Sequence, residues 1–264
     1  MSTDGLLTPA IVLRTRPLRE ADLVVVLLTR SRGRLDALAY GARRSRRRFP
    51  GGLSIGARGE ATLASERRGM YRLEGFSPGC DHSVVGRDLE RFAYVAYICE
   101  LCEALIVGTE TDTSLYDRVD RAVRESVEGT VRPAILRRYE LSLLHALGFL
   151  PFLDDCAVCS APVPCAAGEG VREVFFDGRA GGVRCAEHRA GAGTVAEAVL
   201  AVARELLRDP CADPLETLSP VHRRDLRDLC LGLLRAHLVR PLRSLGFFAS
   251  LSAVTKPRPH DPHS

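Results

Sequence analysis

From Pro9 to Phe76 the apolar positions come in short runs rich in β-branched residues, at 10–15, 23–29, 34–40, 59–64 and 70–76. Clusters of Arg, Gly and Pro separate these runs, and little between them repeats at helical spacing. Short strands packed this densely predict a small closed barrel of the OB-fold type rather than a parallel α/β sheet. From Val84 the period changes. Phe92, Val95, Cys99, Cys102 and Ile106 form one stripe at three- and four-residue spacing, and a second helix is expected near Ser114. A third helix is bounded on both sides: Pro133 suits a first helical position, Leu136, Tyr139, Leu143 and Leu147 line a face, and Gly148 with Pro151 marks the stop. Further amphipathic stretches cover 195–207 and 222–239, and the proline-rich end predicts a disordered tail over 253–264. The expected fold class is α+β multidomain: an N-terminal OB-fold β-barrel (1–80), then a helical domain (81–252) with a zinc-ribbon-like insert at 153–190.

A length of 264 residues with 46% apolar content is enough for two cores. The net charge of +4 conceals an asymmetry: residues 1–80 hold 15 Arg against 7 acidic residues, net +8, which leaves the remainder at −4. Lys256 is the one lysine, so the abundance of Arg reflects composition and its placement carries the information. A basic first third on a mildly acidic body suits a polyanion such as a phosphate backbone. Nine cysteines are an odd number, and no stretch resembles a secretory leader, so reduced thiols or metal ligands are expected in a soluble, cytoplasmic protein. The apolar run 23–28 is far shorter than the roughly 20 residues that span a bilayer, so no membrane contact is expected.

Cys156-Ala157-Val158-Cys159 and Cys185-Ala186-Glu187-His188 are paired knuckles that together supply four soft donors. Two residues between paired ligands let a tight turn aim both side chains at one ion, which predicts one structural Zn²⁺ on Cys156, Cys159, Cys185 and His188. Cys165 is the alternative to His188. A strand at 173–177 and a turn at 178–182 should complete a ribbon with so little core that it needs its metal to fold. No His-x-Glu precedes the first knuckle, as a zinc deaminase would require. Cys99 and Cys102 also have Cys-x-x-Cys spacing, but both fall on the apolar stripe and are expected in the core rather than as a redox dithiol.

Directly after the third expected strand, Gly41-Ala42-Arg43-Arg44-Ser45-Arg46-Arg47-Arg48-Phe49 places five arginines in six positions. Beside a barrel, this loop can follow a phosphate backbone and offer Phe49 for base stacking, with Arg14 and Arg16 on a neighbouring strand as further contacts. Several stretches resemble the RecO family of DNA-repair proteins: 16–24, 27–35, 41–45, 138–144, 147–149, the Cys156 knuckle and Gly181-Gly182-Val183 before Cys185. That resemblance, which covers roughly residues 8–250, implies a nucleoid-associated recombination mediator that binds single- and double-stranded DNA. It further implies annealing of complementary strands and, with RecR, assistance to RecA on DNA covered by single-strand-binding protein. Zinc-bearing relatives commonly end the second knuckle in Cys, where this chain has His188. The resemblance also implies a site for the acidic C-terminal tail of single-strand-binding protein. Arg132, Arg137, Arg138 and Tyr139, around the start of the third helix, are the residues expected to take it.

These readings favour a binding protein over an enzyme. No Walker-type glycine loop is present, so ATP hydrolysis is not expected. The alternative is a zinc-dependent nuclease or hydrolase acting on nucleic acid, with Glu187 as its candidate carboxylate. A zinc-ribbon transcription factor would explain the metal but leave the helical mass without a role.

Overall fold

A computed structural model of the chain describes residues 5–67, 69–106, 112–163, 173–209 and 212–254. It divides into two compact units, one of residues 1–131 with 240–264 and the other of 132–239. The tail expected at 253–264 lies outside the described residues, except for residues 253 and 254, which end a helix.

In the first unit, strands β1 (Leu6–Pro17), β2 (Leu23–Thr29), β3 (Gly33–Ala39), β4 (Arg58–Arg67) and β5 (Met70–Pro78) close into an OB-like barrel of order β1-β2-β3-β5-β4. All ladders are antiparallel except β3 with β5, which run parallel and close the barrel. Alternation fills the interior: Ala10, Val12, Val25, Leu27, Leu35, Ala37, Ala39, Leu63, Leu73 and Phe76 point into one buried cluster. The unbroken apolar run of β2 has a separate cause, since Val24, Val26 and Leu28 on the outer face are buried as well.

Helix α1 (Leu89–Leu105) is capped by Asp88, whose Oδ1 accepts from the amides of Glu90 (3.0 Å) and Arg91 (3.1 Å). The expected stripe proves too narrow. Residues around most of the helix circumference are buried, because α1 packs on β1, on α2 (Thr113–Glu128) and on α6 (Arg243–Val254). Cys99 and Cys102 are fully buried, and burial pushes the Cys99 thiol up to about 12 and Cys102 well above its usual range, which suits core thiols. Arg91 donates to the carbonyls of Ser126, Val127 and Gly129 at the end of α2 (2.7–3.0 Å), placing a cation on unpaired helix carbonyls. Helix α6 was not expected from the sequence. Its first amides are held by the Glu100 carboxylate (Arg243 N at 2.9 Å, Ser244 N at 2.8 Å), and Phe247 and Phe248 meet Phe92, Tyr94 and Tyr97 edge-on.

In the second unit, α3 (Pro133–Ala146) ends where the sequence indicates. Gly148 takes φ +79°, its amide donates to the His145 carbonyl, and Phe149 N donates to the Leu144 carbonyl, a Schellman stop. A small sheet of order β7-β6-β8 follows, from β6 (Glu173–Asp177), β7 (Gly182–Arg184) and β8 (Gly193–Ala196). Helices α4 (Glu197–Arg208) and α5 (Pro220–Arg235) complete the unit. Two expected helix limits are corrected. Val195 is a strand residue paired with Val174, because β6 offers it a ladder partner, and α5 stops at Arg235 rather than 239. The sheet is also less isolated than its composition implies. Gly178 lies so close to α5 that a Cβ there would sit 2.5 Å from the Gly232 backbone. Among the described residues no helix is long and apolar enough to cross a membrane.

Candidate metal centre and nucleic-acid interface

The four predicted ligands converge. The ligand atoms of Cys156, Cys159, Cys185 and His188 all lie within 4.8 Å of one another. Cys159 Sγ is 3.8 Å from Cys185 Sγ, and His188 Nδ1 is 3.2 Å from Cys185 Sγ and 3.9 Å from Cys156 Sγ. A tetrahedral zinc requires about 3.8 Å between sulfurs and about 3.6 Å between sulfur and nitrogen, from bond lengths of about 2.3 and 2.05 Å. The donor set therefore fits one ion, with Nδ1 as the histidine's ligand atom. Cys165 lies outside the described residues.

Backbone hydrogen bonds build this cluster. In the first knuckle, Ser160 takes φ +56°, its amide donates to the Cys156 carbonyl at 2.8 Å, and Cys156 N donates to Ala161 O at 2.8 Å. Ala157 N reaches across to Val183 O (2.9 Å), which ties the first knuckle to β7 just before Cys185. Arg184 braces the second knuckle, donating to His188 O at 3.2 Å and to Asp177 Oδ2 at 2.5 Å. Backbone amides of Cys185, Cys159 and Val158 point at the Cys156 sulfur and hold its thiol down at about 6, against the opposing effect of burial. A thiolate is the form that ligates a metal. Glu187, the carboxylate expected for a hydrolase, is exposed beside the cluster.

On the barrel, the arginine loop is an ordered structure. Ala42 and Phe49 are buried in the barrel core and pin the loop at both ends, while Arg43, Arg44, Arg46, Arg47 and Arg48 stay exposed. Between the pins the chain makes consecutive turns: Ser45 N donates to Gly41 O (2.9 Å), Phe49 N to Ser45 O (3.1 Å), and Phe76 N to Arg48 O (2.9 Å). Gly41 has φ +63°, and its amide donates to Asp22 Oδ1 at 2.8 Å. Arg44 pairs with Glu20, Arg43 Nη1 donates to Glu20 O (3.3 Å), and Arg48 donates to Tyr40 O (2.6 Å) and Ser45 Oγ (3.3 Å). Among the described residues, Arg46 and Arg47 have no ion-pair partner.

Several expected site residues are placed differently from the sequence reading. Phe49 is 2% exposed and fills the barrel, so its ring cannot stack on a base. The exposed aromatic here is Tyr40, just past β3 at 43% exposure; the sequence reading missed it because alternation alone does not show whether a strand's end is covered. Arg14 and Arg16 are both exposed, and Arg14 also pairs with Glu103 of α1 at 2.5 Å. On α3, Arg137 and Tyr139 are buried. Arg137 pairs with the fully buried Glu140 at 2.6 Å, which places both charges inside the unit and away from any surface. Arg132 pairs with Asp213 (2.9 Å), and Arg138 donates to Ala212 O (3.1 Å). The four residues therefore do not form one exposed patch.

Comparison with known proteins agrees with this architecture. Residues 1–78 match the family model described as Recombination protein O N terminal, and residues 86–246 match Recombination protein O C terminal. Proteins named DNA repair protein RecO are similar over nearly their full length. That of Anaeromyxobacter sp. (strain K) is 34% identical over 254 residues, covering 92% of this chain and 96% of the relative. That of Anaeromyxobacter dehalogenans (strain 2CP-1) is 35% identical with the same coverage, and that of Geobacter sulfurreducens is 31% identical over 252 residues, covering 92% of this chain and 97% of the relative. A closed five-strand barrel and a helical C-terminal part, each matched by its own family model, place this chain in the RecO family.

Proposed function

We propose that this chain is a DNA-binding mediator of recombinational repair, acting by binding rather than turnover. The observation that carries this reading is the loop of five exposed arginines pinned to a closed barrel by Ala42 and Phe49. A rigid array of cations can follow phosphates on single or double strands without reading bases, and holding two strands together promotes annealing. Family membership supports the wider role: assisting RecA to load on DNA covered by single-strand-binding protein, with RecR and the tail of single-strand-binding protein as partners, in the cytoplasm at the nucleoid. On this reading residues 1–80 form the DNA-binding domain, and 81–252 form the helical domain that carries the insert.

The metal is proposed to be a single structural Zn²⁺. Cys156, Cys159, Cys185 and His188 would complete a tetrahedron around it and leave no position for a reactive water, so the ion would supply folding energy to the ribbon. The same geometry argues against the hydrolase alternative. One assay separates them: complementary oligonucleotides are incubated with the zinc-loaded protein, and the products are resolved by size. Annealing faster than the protein-free rate, with intact strands, is expected. Cleaved strands, or a rate equal to the protein-free control, would overturn the proposal.

A further inference from the structure

We infer that Tyr40 is a base-stacking platform that gives the barrel a preference for unpaired DNA. This rests on the proposed DNA-binding reading and adds to it a residue that recognises bases rather than phosphates. Tyr40 is 43% exposed, whereas Phe49 and Phe76 fill the barrel interior and Tyr71 is half-buried against it. The peptide that follows it is held at both its oxygen and its nitrogen. The carbonyl of Tyr40 accepts from Arg48 Nη2 at 2.6 Å, and the next amide, Gly41 N, is held by Asp22 at 2.8 Å. The ring therefore begins the loop whose arginines would take the phosphates.

The surface beside it has the same mixed character. Register pairs Arg16 with Val24, Val24 with Leu38, and Leu38 with Arg72, so these four side chains form one row on the outer face. Tyr40 is the first residue past the end of β3, two positions after Leu38. Exposed Arg16 and Arg72, the latter paired with Glu74, stand at either end of the buried Val24 and the half-buried Leu38. A base lying on Tyr40 would keep its phosphates within reach of the cationic loop. Paired bases cannot use such a site, because their faces are occupied by neighbouring pairs.

Since the chain has no Trp, Tyr40→Trp introduces a single reporter at the site. Tyr40→Ala, Tyr40→Phe and Tyr40→Trp are compared with wild type in titrations of labelled oligothymidylate and of a duplex of equal length at several salt concentrations. Tyr40→Ala should bind oligothymidylate roughly 5- to 150-fold more weakly, the loss of one base stack of about 1–3 kcal/mol. Its salt slope and duplex affinity should stay at wild-type values. Phe and Trp should retain binding, and the Trp emission should be quenched by oligothymidylate but not by duplex. Wild-type affinity for oligothymidylate in Tyr40→Ala overturns the inference while leaving the DNA-binding reading intact. So does an equal loss on both substrates with a changed slope, which would mean that the ring only supports the loop. Absence of salt-dependent DNA binding by the wild type would sink both.

Discussion

Replacing Arg46 and Arg47 by Ser is the sharpest test of the arginine loop, because the structure separates these two from their neighbours. Arg43, Arg44 and Arg48 bond to Glu20, Tyr40 and Ser45, so their removal would alter the shape of the loop as well as its charge. Arg46 and Arg47 are exposed and free of ion pairs among the described residues, so their loss should change unfolding free energy by no more than about 0.5 kcal/mol. If each contacts one phosphate, each contributes about 0.7 to the slope of log K against log salt on single strands and about 0.9 on duplex. The double variant should therefore lose about 1.4 and about 1.8 of slope respectively. Near 0.15 M salt, about 0.8 decades below 1 M, that is roughly a 14-fold loss on single strands and roughly a 30-fold loss on duplex, shrinking toward nothing near 1 M. Fluorescence anisotropy of a labelled oligonucleotide from about 50 to 200 mM salt resolves such a change. Lines parallel to wild type would refute phosphate contact by either side chain, whatever their vertical offset.

Other consequences follow from the cores and the metal cluster. Elemental analysis should find one zinc per chain, and chelation should speed amide exchange across 153–163 and 173–190 while leaving the barrel strands protected; unchanged exchange after metal removal would deny the ion its folding role. Arg137→Ala removes the ion-pair partner of the fully buried Glu140 carboxylate, beside the Cys230 thiol, which burial raises far above its usual range. Denaturant unfolding should register a loss of about 3–5 kcal/mol, whereas a loss below about 1 kcal/mol would mean that the pair is not buried in solution. His82 donates from Nε2 to Ile55 O (2.8 Å), with Arg58 and Asp81 as its charged neighbours, and burial lowers its pKa below 6.5. The unfolded chain then binds the proton more readily, so the native state should lose stability as pH falls through 6.5 toward the lower folded value. Urea melts at pH 7.5 and 5.5 should show a larger drop for wild type than for His82→Gln, and equal drops would remove His82 as the cause.

Local pattern carried much of this protein. Short β-rich runs between clusters of Arg, Gly and Pro located the barrel strands, proline and glycine bracketed α3, and the spacing of two knuckles named four ligands that meet within 4.8 Å. These signals are legible because they depend on chain-local geometry: which face a strand alternates between, where a helix lacks amide donors, how far a tight turn reaches. What tertiary structure decided was which surfaces are covered, and by what. Phe49 follows five exposed arginines in the chain yet fills the barrel, because the loop must be anchored somewhere and the core had room for a ring. Arg137 has the sequence context of a surface cation, but Glu140 one turn later lets it be buried as a pair. Helix α6 has no clear apolar period of its own; it is held by the Glu100 carboxylate and by the α1 aromatics, partners more than 140 residues away in the chain. Val195 falls at the start of an amphipathic helical stretch by pattern, and in a strand because β6 offers it a partner. Each of these outcomes depends on an element distant in sequence arriving beside the residue, and no window along the chain contains that information.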